Sequence, residues 1–157
     1  MSYHVEESLV INSSSAEIYS FWRNFENLPR FMNNLKSVTV LDKKMSHWVG
    51  KGPLNTSPEW DAEVVSDMPN KSISWRSTEG SPVGTSGTVS FENAVGGRGT
   101  LVHVSFDYTP PLGVVGHAVA LLFGEDPKKQ VHEDLHRLQQ IVEAGEISSI
   151  EGQPRAS

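Results

Sequence analysis

The stretch EWDAEVVSDMPNKSISWRS, residues 59–77, decides the fold. Trp60, Ala62 and Val64 fall on one side of a period-two pattern, and Glu59, Asp61 and Glu63 on the other. Ile73, Trp75 and Ser77 alternate in the same way with Ser74 and Arg76. Two such runs separated by DMPN, residues 67–70, predict an antiparallel hairpin. Closing it symmetrically about Met68 and Pro69 sets Trp75 opposite Ala62 and Ile73 opposite Val64. The same closure sets Arg76 opposite Asp61 on the outer face, as a cross-strand ion pair rather than an acid/base couple. A slip of one residue would carry the acids to the apolar side.

The period of two continues on both sides of this hairpin. LKSVTVLD and SHWVGK precede it; GTVSFE and TLVHVSFDY follow it. The breaks DKK, GPLNTSP, EGSPVGTSG and AVGGRG are turn-forming, and their shortness favours a sequential antiparallel sheet. GGRG lacks the strand–loop–helix setting of a phosphate loop and reads as a hairpin turn. Upstream, YHVEESLVI is a further strand, with Glu7 on its apolar side. Ser14 and Glu17 form a capping box for a helix carrying Ile18, Phe21, Trp22 and Phe25. Pro29 suits the first turn of a second short helix. Downstream, one long helical segment covers about residues 113–144, interrupted around GEDP. The fold predicted is α+β: a curved seven-stranded antiparallel sheet wrapped around a long C-terminal helix, with two short helices after the first strand. Residues 1–145 form a single domain, and 146–157 a mobile tail without apolar periodicity.

Composition narrows the partners. With 13 Lys+Arg against 19 Asp+Glu, the formal charge is -6. No basic stripe offers itself to a nucleic acid. The chain has no cysteine, which excludes disulfides, thiolate metal sites and cysteine nucleophiles, and fits a reducing cytoplasm. No secretory signal is visible. The most apolar window, LGVVGHAVALLFG, is shorter than the roughly 20 residues of a membrane-spanning helix. The expectation is a cytoplasmic protein without a transmembrane segment, without nucleic acid and without a cofactor.

The inward faces of the strands collect large aromatics and a few small residues. Trp48, Trp60 and Trp75 lie beside Ser46, Gly50, Ala62 and Ser77; Phe91, Val104, Phe106 and Tyr108 join them. Such a mixture marks either tight interdigitation or a hollow, and a sheet closing on a helix favours the hollow. With His117 and Leu121 from the apolar start of the helical segment, these aromatics and Val104 form the candidate ligand-binding set. His117 is either a polar anchor inside the tunnel or a residue at its solvent edge. Gly113, Gly116 and Gly124 soften the same stretch.

The run His132-Glu133-Asp134-Leu135-His136 matches the H-E-x-x-H pattern of zinc peptidases. Val131, Leu135, Leu138 and Val142 form the apolar stripe of that helix. Each His follows a stripe residue by one position, about 100° round the helix, and Glu133 lies nearly opposite the stripe. A peptidase needs all three in one cleft with a further ligand. The match is read as an accident of helix patterning, and no metal site is expected. Glu7, Ser77, Tyr108 and His117 are the polar inward candidates; no catalytic dyad or triad can be assembled from them.

Several segments carry a family resemblance: FWRNFENLPRFM (21–32), HWVGKGP (47–53) before EWDAEV (59–64), PNKSISWRS (69–77) and GGRGTLVHV (96–104). Together they resemble the polyketide cyclase/dehydrase branch of the START superfamily, which also holds coenzyme-Q-binding START proteins. The resemblance covers residues 3–144 and is most specific in the two-Trp hairpin and in Asn27-Leu28-Pro29. It implies a helix-grip fold with a hydrophobic tunnel between sheet and helix. The ligand implied is an apolar small molecule such as a lipid, isoprenoid quinone or polyketide. A polyketide-type cyclase or dehydratase is the alternative, and an interaction module like the ribosome-associated toxin relatives is another. The fold itself does not choose among them.

Overall fold

The computed structural model describes residues 3–51, 57–81, 84–109 and 127–145. Seven strands form one antiparallel sheet: β1 (Tyr3–Ile11), β2 (Leu35–Val40), β3 (Met45–Gly50), β4 (Glu59–Met68), β5 (Ser72–Ser77), β6 (Gly84–Asn93) and β7 (Thr100–Thr109). Their order is β1-β7-β6-β5-β4-β3-β2. The consecutive strands β1 and β2 therefore sit on opposite edges. The chain between them, helix α1 (Ser15–Arg23) and a 3-10 turn (Phe25–Arg30), crosses the inner face. The C-terminal helix α2 spans Pro127–Glu143. This is the helix-grip architecture, a curled sheet gripping a C-terminal helix.

Local chemistry explains the crossing. Ser14 caps α1, its Oγ accepting from the Glu17 N–H at 3.1 Å. The expected capping box is only half made, because the Glu17 carboxylate accepts from Ser13 Oγ at 3.3 Å. Asn24 Oδ1 accepts from the Glu26 N–H at 3.2 Å and so starts the 3-10 turn. Pro29 lies inside that turn rather than at its start. Asn27 Nδ2 donates back to the Phe21 carbonyl at 3.0 Å, satisfying an end of α1 that would otherwise be orphaned. The turn buries Phe25 and Leu28, and α1 buries Ile18, Phe21 and Trp22. The sheet is thus covered by two helical layers, not by the C-terminal helix alone: Trp22 stands 6.2 Å from Trp75 and 6.5 Å from Phe91 between ring centroids.

The two-Trp hairpin forms, but its register differs from symmetric closure. Val64 pairs with Trp75, Glu63 with Arg76, and Ala62 with Ser77. The turn lies further along the chain and is one residue longer than assumed: Met68 pairs with Ser72, Lys71 N–H donates to the Met68 carbonyl at 2.8 Å, and Asn70 takes φ 65°. Proline second and a left-handed residue third are the requirements of a type II turn. Beside it β4 carries a bulge between Val64 and Ser66. The turn moves the pairing by three positions and the bulge takes one back, so Trp60, Ala62 and Trp75 keep their inward face. The ion-pair expectation changes accordingly. Arg76 meets Glu63 at 3.1 Å, and Asp61 instead accepts from His47 at 2.7 Å.

Past the bulge the sides of β4 exchange, and Asp67 reaches α1. Its Oδ2 accepts from Arg23 Nε at 2.8 Å, and its Oδ1 from the Tyr19 hydroxyl. Asp67 also begins a row across five strands, Asp67–Ile73–Val89–Val104–Glu7. The centre of this row is fully buried and each end is an acid held by a helix. At the β1 end, Glu7 meets Lys128 at 2.9 Å and His132 at 3.2 Å. Lys128, together with His132, holds the Glu7 carboxyl below its ordinary range. The apolar-side position of Glu7 on β1 is therefore a contact with α2.

Candidate functional site

Inside the sheet, aromatic rings fill most of the interior. Trp75 is 2% exposed and packs against Trp22, Phe25, Trp48 and Phe106. Trp48 leans on Trp60 at 6.0 Å, and its Nε1–H donates to the buried Ser46 Oγ at 2.8 Å. In the row Val64–Trp75–Gly87–Phe106–Val5, the glycine has no side chain to oppose the indole. A Cβ there would lie 2.4 Å from Trp75 Cζ2. The small residue is what lets the ring lie flat across the sheet and touch Phe106.

A hollow remains where strands β3 to β7 face α2 and the segment after the 3-10 turn. Its volume is about 50 Å³. A single water needs roughly 10–15 Å³ on such a measure, and an apolar cavity that admits benzene has about 150 Å³. The hollow holds a few waters, not a lipid. The open-or-packed alternative thus resolves into a mostly packed interior with a residual gap. One wall is Trp48, Trp60, Trp75 and Phe106; the rim is Met32, Asn34 and Leu35 facing Gln130, Val131 and Asp134, with Thr85 beside them.

Four of the nine candidate residues, Trp48, Trp60, Trp75 and Phe106, line this hollow. Phe91 and Val104 do not. Phe91 packs against Tyr19 and Trp22, and Val104 sits in the fully buried row between β6 and β1. Tyr108 pairs through its backbone with Tyr3 and Thr85; its side chain, and the whole of His117 and Leu121, lie outside the described residues. The tail 146–157 and the glycines at 113, 116 and 124 lie outside them too. Ser77 Oγ accepts from the Thr85 N–H at 3.0 Å, which occupies it structurally.

The residue that sequence reasoning passed over is Asp134. Its side chain is 14% exposed, and burial pushes its carboxyl above the ordinary carboxylate range against the pull of its hydrogen bonds. It clasps the two rims together. Asn33 N–H donates to it at 3.2 Å, Gln130 Nε2 at 2.8 Å and Arg137 Nη2 at 2.7 Å, while Arg137 Nε donates to the Phe31 carbonyl at 3.1 Å. At 100° per residue Asp134 lies only about 70° from the middle of the Val131–Val142 stripe, a signal that the neighbouring histidines masked.

The histidines themselves face away from the hollow. His132 is exposed and turned to Glu7, its ring 4.6 Å from that of His136, and Glu133 is exposed. Among the described residues no three His, Asp or Glu side chains are placed to hold a metal ion.

A curled antiparallel sheet, a gripped C-terminal helix and an aromatic-walled gap between them define a helix-grip protein. The chain belongs to the family described as polyketide cyclase / dehydrase and lipid transport, whose model matches residues 11–136. A crystal structure from Deinococcus radiodurans is similar at 35% identity, with 91% of this chain and 98% of that one covered and a TM-score of 0.77. A START superfamily protein from Mycobacterium smegmatis shares the fold at 20% identity, covering 94% and 98%, with a TM-score of 0.64. So does the Zhui aromatase/cyclase from Streptomyces, at 15% identity, covering 99% and 98%, with a TM-score of 0.61. No curated protein matches the chain. Among the described residues no helix is long and apolar enough to cross a membrane.

Proposed function

We propose that this protein binds an apolar small molecule, of the lipid, isoprenoid quinone or polyketide kind, between sheet and α2, and acts as a carrier or sensor. The observation that carries the reading is the wall of Trp48, Trp60, Trp75 and Phe106 around free space at the helix seam. Such a wall gives affinity by removing apolar area from water, at roughly 25 cal/mol per Å². Membership of a family described in terms of cyclisation, dehydration and lipid transport supports the same ligand chemistry. Because the gap is small, a ligand enters by parting the rims that Asp134 clasps. The cysteine-free chain supports a cytoplasmic setting.

Native mass spectrometry of the purified protein tests the proposal. The expected spectrum shows a mass excess that solvent extraction removes and that returns on adding the extract. A bare-chain mass throughout, with no adduct on adding a long-chain alcohol or a quinone, refutes it.

A cyclase or dehydratase is the second reading, and Asp134 is the observation that favours it. A buried carboxyl raised in pKa beside an apolar gap is a fit general acid. The shared fold of the Streptomyces aromatase/cyclase lends it further support. The enzyme reading requires that Asp134→Asn abolish turnover while leaving ligand content intact.

A further inference from the structure

The two oxygens of Asp134 are used unequally. Oδ1 accepts all three hydrogen bonds, from Asn33 N–H, Gln130 Nε2 and Arg137 Nη2. Oδ2 accepts none from the described residues. A carboxylate oxygen has about two acceptor directions, so one is crowded and the other idle. Among the described residues, the buried polar side-chain atoms without a partner are Trp22 Nε1 and Trp60 Nε1, and Asp134 Oδ2 is not one of them. Asp134 borders the hollow, and Trp60 stands in the opposite wall. One residue on the helix side of the gap therefore carries an acceptor without a partner among the described residues, and one ring of the facing wall carries an unpartnered N–H.

No Lys or Arg is among the described residues around the gap. The nearby cation, Arg137, spends its guanidinium on Phe31 O and Asp134 Oδ1. An anionic head group would meet a carboxylate whose cation, Arg137, is already engaged with it, in surroundings that screen poorly. A hydroxyl would meet an acceptor already oriented by three hydrogen bonds.

We propose that Asp134 selects ligands by charge. Its Oδ2 accepts a hydrogen bond from the hydroxyl of an uncharged, ring-containing molecule, and the same carboxylate turns away carboxylates and phosphates. The inference rests on the reading of the gap as a ligand site. It narrows that ligand to a hydroxylated neutral compound rather than a fatty acid or a phospholipid.

Titration calorimetry of the full chain with phenol, toluene and benzoate tests it. These probes are of similar size and carry a donor, no polar group and an anion. Phenol is expected to bind about tenfold more tightly than toluene, the worth of one hydrogen bond to a charged acceptor, and benzoate not measurably. Asp134→Asn keeps an oxygen to accept the three structural hydrogen bonds but replaces the idle acceptor by an N–H donor. In that variant the phenol advantage shrinks, because its hydroxyl then only accepts from a neutral amide, and benzoate binding becomes measurable. Equal binding of phenol and toluene by the native chain overturns the proposal, as does benzoate binding as well as phenol, or an exclusion of benzoate that survives Asp134→Asn. The native-chain order is decisive even if the variant does not fold. If toluene binds without discrimination from the others, only the charge selection fails. If none of the three binds, the ligand site fails with it.

Discussion

Gly87→Ala probes how tightly the aromatic interior is filled. The new Cβ would stand 2.4 Å from Trp75 Cζ2, 2.8 Å from Cε2 and 3.1 Å from Cη2. Carbon atoms settle at about 3.5–4.0 Å, so the indole must retreat by roughly 1 Å. On one side it would press into Trp22 and Phe25, at 6.2 and 5.7 Å between centroids; on another lies the gap that it helps to line. Overpacking of this kind costs about 1–3 kcal/mol. Replacing glycine within a strand returns about 0.5–1 kcal/mol of backbone entropy. A net loss of about 1–2 kcal/mol is expected, read as the shift of the urea midpoint followed by far-ultraviolet circular dichroism. Trp75→Phe supplies the control, since it deletes the part of the ring that collides. In that background Gly87→Ala should cost at least about 1 kcal/mol less, a coupling well above the ~0.3–0.5 kcal/mol of independent sites. The near-ultraviolet spectrum should change with Gly87→Ala in the native background, as the stacked indoles move. Equal costs in both backgrounds would refute the packing account.

Two further expectations concern charge. Asp134 has a folded pKa above its unfolded value near 3.8, so the folded chain holds that proton more tightly. Its contribution to stability is full below the unfolded pKa and is lost as pH rises through the folded one. At neutral pH Asp134→Asn should therefore leave stability unchanged or raise it by up to ~1 kcal/mol, measured by urea unfolding; a loss of ~2 kcal/mol or more would make the clasp a structural necessity. His47 donates to Asp61 and Glu59, each at 2.7 Å, and the Asp61 and then the Glu59 hydrogen bond raise its pKa above 6.5. The sign is the usual one for histidine: the stabilisation is complete below about pH 6.5 and fades as pH climbs through the raised midpoint. His47→Gln should abolish this pH dependence, which is under ~1 kcal/mol for groups so exposed. A histidine midpoint at or below 6.5 in a proton NMR titration would contradict it.

All seven strands and the stripe of α2 were legible, because period-two and 3.6-residue patterns report burial directly. The hairpin register was not. It depends on whether one chain position takes a left-handed φ and whether one residue bulges, and neither leaves a mark on the apolar pattern when their sum is even. Glu7 looked like a flaw in β1 because its partners, Lys128 and His132, lie far along the chain. The aromatic wall could be named from strand parity at Trp48, Trp60, Trp75 and Phe106. Phe91 shares that parity but lies under α1, a cover that alternation alone does not predict. Asp134 was missed because charge on a helix is by default assigned to solvent, whereas here a loop folds over it.

The single surplus residue at Val65 has a consequence for how this chain can vary. It acts as a phase change along β4: upstream positions are written for one side of the sheet, downstream positions for the other, and the switch is what delivers Asp67 to Arg23 and Tyr19. Lengthening or shortening the strand by one residue on either side of that point would exchange the two scripts. The helix would then lose its grip on that acid, which would turn out to water. Changes that come in twos preserve the message; the ribbon tolerates even edits and rejects odd ones.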